Sequence, residues 1–446
     1  MALPAAFADK NICILGLGYV GLTLAVAMAD TGFRVHGVEM RQSVLDGLAA
    51  NEPHFWEPRL KDKLIRSRAR GAFTFTRDVP AGQDISVFII TVGTPLGADG
   101  KAQMRSVEQA TRQIAGQMRD GALIILRSTV KLGTARKVVS PILAATGKRF
   151  DIAVCPERTL EGRALIELHE LPQIVGADSD ETRYRCQMLF GHMTPTTVTV
   201  STLESAELVK LVDNTYRDVT FGFANEVAKL CGRMGISARE VIRAGKLGYP
   251  RTNVALPGPV GGPCLEKDPH ILFEAAQQWG VEMNISKTAR LTNEDVPAQS
   301  ISLISEVMKS MPGFSAKPKV RLLGLAFKGV PATDDLRGTT AKPILEELRR
   351  VFPQAEFTGY DPVVPHHEAT AFFGFGMHAT LKEAFTGADI VLIANNHREF
   401  QGFDLGAMAE HMTRPGIIYD YWNMHDDTEM ALPQGVRYLA LGGELV

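Results

Sequence analysis

Cysteine is scarce in this chain. Cys13, Cys155, Cys186, Cys231 and Cys264 are scattered over 446 residues, odd in number and never in C-x-x-C spacing. This argues against a disulfide framework and against a structural metal site, and no metal is expected. If one cysteine matters it matters singly, and the others are expected to be small buried apolar residues. An excess of basic charge is missing too. Lys and Arg number 48 against 50 Asp and Glu, a formal charge of −2, which leaves no electrostatic footprint for nucleic acid and points to a small-molecule partner. No uninterrupted apolar run reaches the roughly 18 residues of a membrane span, and the first ten residues lack a basic segment followed by an apolar one. A cytoplasmic protein without membrane spans is expected. The apolar share of 45% and charged share of 22% belong to a globular protein, and 446 residues imply two or three domains.

What is present is an alternation of short β-rich runs and amphipathic helical stretches, the pattern of parallel α/β sheets. Strands are predicted at Asn11–Leu15, Arg34–Val38, Ile85–Ile90, Ala122–Leu126, Asp151–Cys155 and Gln173–Gly176, in a first domain ending near Val200. Ser201-Thr-Leu-Glu204 then has the capping-box arrangement, and apolar positions recur at helical spacing to about Leu230, a helix of roughly 27 residues. A helix so much longer than a usual crossover commonly connects domains and offers a surface for dimer packing. After Leu256-Pro-Gly-Pro-Val-Gly-Gly-Pro263 the chain returns to helix and then to a second α/β pattern, with strands at Lys319–Gly324, Ala355–Tyr360, Asp389–Ala394 and Gly416–Asp420. The expected fold is α/β, with two Rossmann-like parallel-sheet domains joined by a long central helix and a helical connector, divided as 1–200, 201–312 and 313–446.

Gly16-Leu-Gly18-Tyr19-Val20-Gly21 follows the first strand directly and opens a helix, the context in which G-x-G-x-x-G becomes a dinucleotide fingerprint. Gly16 allows the tight turn, Gly18 the approach of backbone to pyrophosphate, and Gly21 close packing of helix on strand. Glu39 ends the second strand, where a carboxylate accepts bonds from the adenosine ribose and disfavours a 2′-phosphate, so NAD is expected rather than NADP; Arg41 pulls the other way without reversing this. Thr91-Val-Gly-Thr94-Pro95 and the run from Arg127 through Ser128 and Thr129 to Thr134 each follow a predicted strand, where ligands gather in open α/β sheets, although an ordinary turn and N-cap would read the same.

Lys210 and Asn214 lie four apart on the long helix and share a face, with Asp218 one turn on. The same helix carries Leu208, Val209, Leu211, Val212, Phe221 and Phe223, so burial over much of its circumference is expected, and a lysine there needs a partner or a task. Gly258-Pro-Val-Gly261-Gly-Pro-Cys264-Leu-Glu-Lys267-Asp268 presents a cysteine on a glycine loop just before a predicted helix. A helix N-terminus and nearby ammonium groups favour the thiolate, the form that attacks carbonyl carbon.

Taken in order, these motifs resemble the UDP-glucose/GDP-mannose dehydrogenase family over essentially the full length. The resemblance also rests on Cys155-Pro-Glu157-Arg158, Glu161-Gly162 and Gly324-Leu-Ala-Phe327-Lys328. Cys155-Pro-Glu-Arg158, Asn214-Thr-Tyr-Arg-Asp218 and Pro250-Arg251 are more like the UDP-N-acetylhexosamine branch, whereas Pro263-Cys-Leu-Glu-Lys-Asp268 is unlike its usual histidine-bearing loop, so features of two branches are mixed. The resemblance implies NAD contacts from Gly16, Gly18, Tyr19, Val20, Gly21, Glu39, Arg41, Thr94, Thr129 and Lys267. It implies UDP-sugar contacts from Glu161, Arg217, Arg251, Gly261, Phe327 and Lys328, with Arg251 reaching across a subunit boundary, so that a homodimer is the minimum. It implies two successive oxidations at C6: Lys210 and Asn214 stabilise the oxyanion, Thr129 and Asp268 hold a water, Cys264 forms a thiohemiacetal and then a thioester, and Asp268 or Glu157 helps water to hydrolyse it. Two other readings are a one-step hydroxy-acid dehydrogenase, which needs no Cys264, and a non-catalytic nucleotide-binding scaffold, which would be expected to lose at least one of Cys264, Lys210, Asn214 and Asp268.

Overall fold

The structure, a computed structural model, describes residues 3–4, 7–97, 99–425 and 431–443, and the chain divides into two units, Met1–Asp213 with His270–Glu282 and Asn214–Pro269 with Met283–Val446. Among the described residues the first unit forms an eight-stranded sheet of β1 (Asn11–Leu15), β2 (Arg34–Val38), β3 (Phe73–Thr76), β4 (Val87–Ile90), β5 (Ala122–Leu126), β6 (Phe150–Val154), β7 (Gln173–Gly176) and β8 (Thr197–Val200). The spatial order is β3-β2-β1-β4-β5-β6-β7-β8. Neighbours are parallel except β6 and β7, which meet at one antiparallel bridge, Val154↔Gly176.

A parallel sheet buries both faces, and the two-residue period of these strands supplies both. Ile12 and Ile14 of β1 with Leu123 and Ile125 of β5 join the core on one face. Cys13, Leu15, Ile124 and Leu126 join the core on the other. Because β1 lies between β2 and β4, the winding reverses at its carboxyl end, where such sheets leave a crevice. The glycine motif begins there.

In the second unit β9 (Lys319–Leu323), β10 (Glu356–Tyr360), β11 (Gly376–Met377), β12 (Ile390–Ile393), β13 (Gly416–Asp420) and β14 (Val436–Ala440) form a parallel sheet in the order β11-β10-β9-β12-β13-β14. Here β9 is the strand at which the order reverses, and Gly324 follows it at φ +79°. The predicted strands all occur, within two residues at their ends. Four others, β3, β8, β11 and β14, were not expected. β3 and β8 are four-residue runs of alternating Thr with Phe or Val, too short for periodicity alone to mark, and β11 is defined only by its pairing with β10.

The long helix is Leu203–Met234, 32 residues and about 48 Å at 1.5 Å per residue, and the division of the chain falls within it. Its N-terminus corrects the expected capping box. Thr202, not Ser201, caps it, accepting the Ser205 N–H at 3.1 Å. Glu204 is drawn away to Arg136, which donates to both its oxygens at 2.6 and 3.0 Å. The helix is also less buried than its composition implies. Leu211 is buried, but Leu208, Val212, Tyr216, Phe223 and Leu230 are exposed, Phe223 by 53% and Leu230 by 61%. No helix among the described residues is long and apolar enough to cross a membrane.

Candidate active site

In the first unit the turn after β1 is built as the glycine spacing requires. Gly16 stands at φ +94°, and its N–H donates to the Val38 carbonyl at 2.8 Å. A Cβ on Gly21 would collide with the Gly16 carbonyl and with Thr91 Oγ1, so helix and strand meet as closely as backbone allows. A Cβ on Gly18 would meet nothing within 4 Å, so the turn is open there, as the close approach of a pyrophosphate would require. The helix Tyr19–Thr31 starts directly after Gly18, and no side chain caps its first N–H groups, the donors that helix N-termini offer to phosphates. At the end of β2, Glu39 accepts the Leu17 N–H at 3.2 Å and is held by Arg41 through its backbone N–H and guanidinium, at 3.0 to 3.2 Å. Burial pushes the Glu39 carboxyl up, but the bonds from Arg41 and Leu17 outweigh it and leave an anion below the usual carboxylate range. Arg41 is thus engaged by Glu39. The turn and the carboxylate together fit NAD.

The loops after β4 and β5 are tied to each other: Thr94 Oγ1 donates to the Thr129 carbonyl at 2.5 Å, and Ser128 Oγ to the Val92 carbonyl at 2.7 Å. Glu157 is buried. Its Oε2 accepts two bonds from Arg127, at 2.5 and 3.0 Å, and its Oε1 accepts the N–H groups of Arg158 and Thr159, each at 2.7 Å. Burial alone would raise its pKa; the Arg127 charge and the Thr159 N–H hold it below the usual range, and the Lys210 ammonium adds to this. Lys210 is 8% exposed and makes no hydrogen bond or ion pair with any described residue. Gly162, at φ +84°, turns the chain after Glu161.

In the second unit Cys264 lies within a single helical turn, Gly262–Leu265, just ahead of the helix that begins at Asp268, as expected. It is exposed, whereas Cys13, Cys155, Cys186 and Cys231 are buried. Asp268, which has no exposed surface, begins the helix Asp268–Gln278. It accepts the Asn214 amide on Oδ2 at 2.5 Å and pairs with Lys267 through Oδ1 at 2.6 Å. Three expected site residues therefore form one cluster. Lys328 Nζ lies 5.2 Å over the Phe327 ring. Arg217 is exposed, and Arg251, also exposed, lies 4.7 Å over the Tyr249 ring.

The loop that carries Cys264 is gripped by side chains that the motif reading did not single out. Asn225 on the long helix donates to the Gly258 carbonyl and accepts the Gly258 N–H, both at 3.1 Å. Arg290, on the helix Asn284–Ser310, donates to the carbonyls of Leu265 and Val260 at 2.9 and 3.4 Å and pairs with buried Asp218 at 2.8 Å. Asn293 Nδ2 donates to Asp218 Oδ1 at 2.9 Å and to its backbone carbonyl at the same distance. The Gly262 N–H donates to the Gly338 carbonyl at 2.6 Å. A Cβ on Gly261 would collide with that carbonyl, and one on Gly262, at φ +93°, would lie 2.5 Å from the Phe327 ring. Asp218 was visible on the helix face. Nothing local marks Arg290, Asn293 or Gly338, which act from far along the chain.

The chain matches the UDP-glucose/GDP-mannose dehydrogenase family in its NAD binding domain over residues 10–194, its central domain over 204–295 and its UDP binding domain over 321–427. It is 32% identical over 419 residues to a UDP-N-acetyl-D-mannosamine dehydrogenase of Pyrococcus horikoshii, covering 93% of this chain and 96% of that protein. A solved structure of a UDP-D-ManNAc dehydrogenase from Pyrococcus horikoshii superposes with TM-score 0.86 at 31% identity, over 97% of this chain and 99% of the other. A UDP-glucose dehydrogenase from Pyrobaculum islandicum follows with TM-score 0.84 at 27% identity, over 99% and 100%. The chain belongs to the UDP-glucose/GDP-mannose dehydrogenase family and is an NAD-dependent oxidoreductase of the UDP-sugar dehydrogenase type.

Proposed function

We propose that the protein oxidises the C6 alcohol of a UDP-N-acetylhexosamine, UDP-N-acetylmannosamine or UDP-N-acetylglucosamine, to the uronic acid through a thioester on Cys264. The observation that carries the reaction is Cys264 itself, the exposed cysteine among five, on a loop anchored at Gly258, Val260, Gly262 and Leu265. A one-step dehydrogenase needs neither the thiol nor its anchoring, and a scaffold needs no buried ammonium such as Lys210. The choice of sugar is supported by the relatives' activity and by Cys155-Pro-Glu-Arg158.

NAD, when bound, would supply the hydride acceptor, and two molecules would be reduced per sugar, one in each oxidation at C6. Lys210 and Asn214 steady the negative charge on the C6 oxygen while its proton passes to water held by Thr129 and Asp268. The Cys264 thiolate adds to the aldehyde carbon, giving a thiohemiacetal, and loss of the second hydride leaves a thioester. Water adds to the thioester, the C–S bond breaks, and the carboxylate and the thiol are released. Glu157 already accepts four donor bonds and is held below the usual carboxylate range, so it is a poor base; this favours Asp268 for activating the water. Glu161, Gly261, Phe327 and Lys328 hold the sugar nucleotide. The exposed stripe Leu208, Val212, Tyr216, Phe223 and Leu230 packs against a second copy, from which Arg251 reaches the sugar nucleotide, and Arg217 is a further sugar contact.

The test is NADH formation with UDP-N-acetylmannosamine, UDP-N-acetylglucosamine, UDP-glucose and GDP-mannose, counted per sugar consumed, with Cys264→Ala alongside. Two NADH per N-acetylhexosamine and loss of turnover in the variant are expected. One NADH per sugar, or an active variant, would remove Cys264 from the mechanism.

A further inference from the structure

Glu57 lies outside every motif considered above, in the segment before the helix Leu60–Ala69, yet it is buried. Its Oε2 accepts the Tyr19 hydroxyl and the Gly162 N–H, the latter at 2.7 Å. Its Oε1 faces the Leu165 N–H at 3.4 Å, in the first turn of the helix Ala164–Glu170. The Gly162 N–H is also 2.9 Å from the Tyr19 oxygen. Hydroxyl, carboxylate and backbone N–H therefore close a triangle. One corner is Tyr19, inside the glycine turn that receives pyrophosphate. Another is Gly162, whose positive φ sets the turn out of Glu161. The Tyr19 ring is fixed by Phe55, with centroids 4.8 Å apart. Burial, and then Glu57, push the Tyr19 phenol far above its ordinary value, so that it remains a donor through the working pH range.

No described cationic side chain pairs with Glu57; its partners are the hydroxyl and backbone N–H groups alone. A buried carboxylate without a counter-charge is a costly way to cap a seven-residue helix, when an exposed Ser or Asp would serve. The cost is more intelligible if the group's task is to fix two binding turns to each other.

We propose that Glu57 is a positioning residue, which through Tyr19 and the Gly162 N–H holds the turn carrying Glu161 in register with the dinucleotide turn. This rests on the assignment of Glu161 to the sugar nucleotide. Its consequence is that the two ligands share one support: losing it weakens both, although Glu57 is assigned contact with neither.

The test compares Glu57→Gln, Tyr19→Phe and the double variant in the full chain. Three quantities are read: the NAD Kd by titration calorimetry, the KM for UDP-N-acetylmannosamine, and hydrogen exchange of the peptide spanning 158–165. Each single variant is expected to raise the Kd and KM by about three- to tenfold, with kcat moving less, and to speed exchange at Gly162 by about tenfold. The double variant should be no worse than the worse single one, because both remove the same link. Effects that multiply in the double variant would overturn the proposal. So would a lower Tm with Kd and KM within twofold of wild type, which is what a helix cap alone would give. If Glu57→Gln folds poorly, Tyr19→Phe carries the test, since it keeps the ring on Phe55 and deletes only the hydroxyl. Faster exchange and weaker NAD binding with an unchanged KM would place Glu161 away from the sugar and overturn the proposal by that route. Failure of UDP-N-acetylmannosamine to turn over in wild type would instead reject the substrate assignment, and the exchange and NAD arms would still decide whether the link exists.

Discussion

Replacing Arg290 should separate the stability of the Cys264 loop from its chemistry. Arg290 and Asp218 are 3% and 0% exposed in their side chains, so Arg290→Met takes a guanidinium from a fully buried carboxylate. Removing one partner of a buried pair costs about 3–5 kcal/mol. Asn293 still donates to Asp218 Oδ1 at 2.9 Å, which favours the lower end of that range. In a unit of this size each kcal/mol lowers Tm by roughly 2–4 °C, so a drop on the order of 10 °C is expected by calorimetry. The variant also frees the carbonyls of Val260 and Leu265, on either side of Cys264. A displacement of about 1 Å at a reacting group can cost on the order of a hundredfold in rate, so kcat should fall by about 10- to 100-fold while the NAD Kd, set in the other unit, stays within twofold. The decisive variant is Arg290→Met with Asp218→Asn. Neutralising both charges should recover most of the lost Tm without recovering kcat, because the carbonyl anchors remain absent. A single variant within 1 kcal/mol of wild type, or a double variant in which rate and stability return together, would refute the reasoning.

Two glycines should respond differently to the same change. Gly262→Ala forces a positive φ on alanine at a cost of about 1–2 kcal/mol and drives Cβ into Phe327, so the KM for the sugar nucleotide should rise at least tenfold; Gly18→Ala, with open space around it, should keep its Tm and weaken NAD binding instead, both readable by titration. Glu207 is a second buried carboxylate, accepting the N–H groups of Gly133 and Ala135 at 2.5 and 2.8 Å, and burial pushes it up to about 7 from an ordinary 4.5. The folded state then holds the proton more tightly than the unfolded one, so the stabilisation is complete below pH 4.5 and is lost as pH rises through 7, by about 3 kcal/mol in all. Denaturant unfolding of wild type minus Glu207→Gln should show that slope between pH 5 and 7, and a flat difference would mean that the two N–H bonds keep Glu207 ionised throughout.

Local sequence determined a good deal of this protein. The central strands were legible because Asn11–Leu15 or Ala122–Leu126 must bury both faces and so read as continuous apolar runs, and the dinucleotide turn was legible because strand, glycines and helix follow one another within a few residues. Cys264 stood out because a glycine loop presents it just before a helix, with Lys267 and Asp268 close by in the chain. Tertiary structure decided what depends on partners distant in the chain. β11 is a strand only because β10 lies beside it, and the long helix keeps Phe223 and Leu230 exposed although their hydrophobicity suggests burial. Glu204 looks like part of a capping box until Arg136 competes for it, and Lys267 looks like a free ammonium until Asp268 takes it. Glu57, Arg290 and Gly338 carry no local mark at all, since a hydrogen bond to a backbone group more than a hundred residues away, or across a tertiary turn, leaves no periodicity and no motif. The sequence by itself determined which candidate groups stand near one another along the chain; the fold decided which of them are held still, because only packing can bring a buried carboxylate or guanidinium to the backbone it fixes.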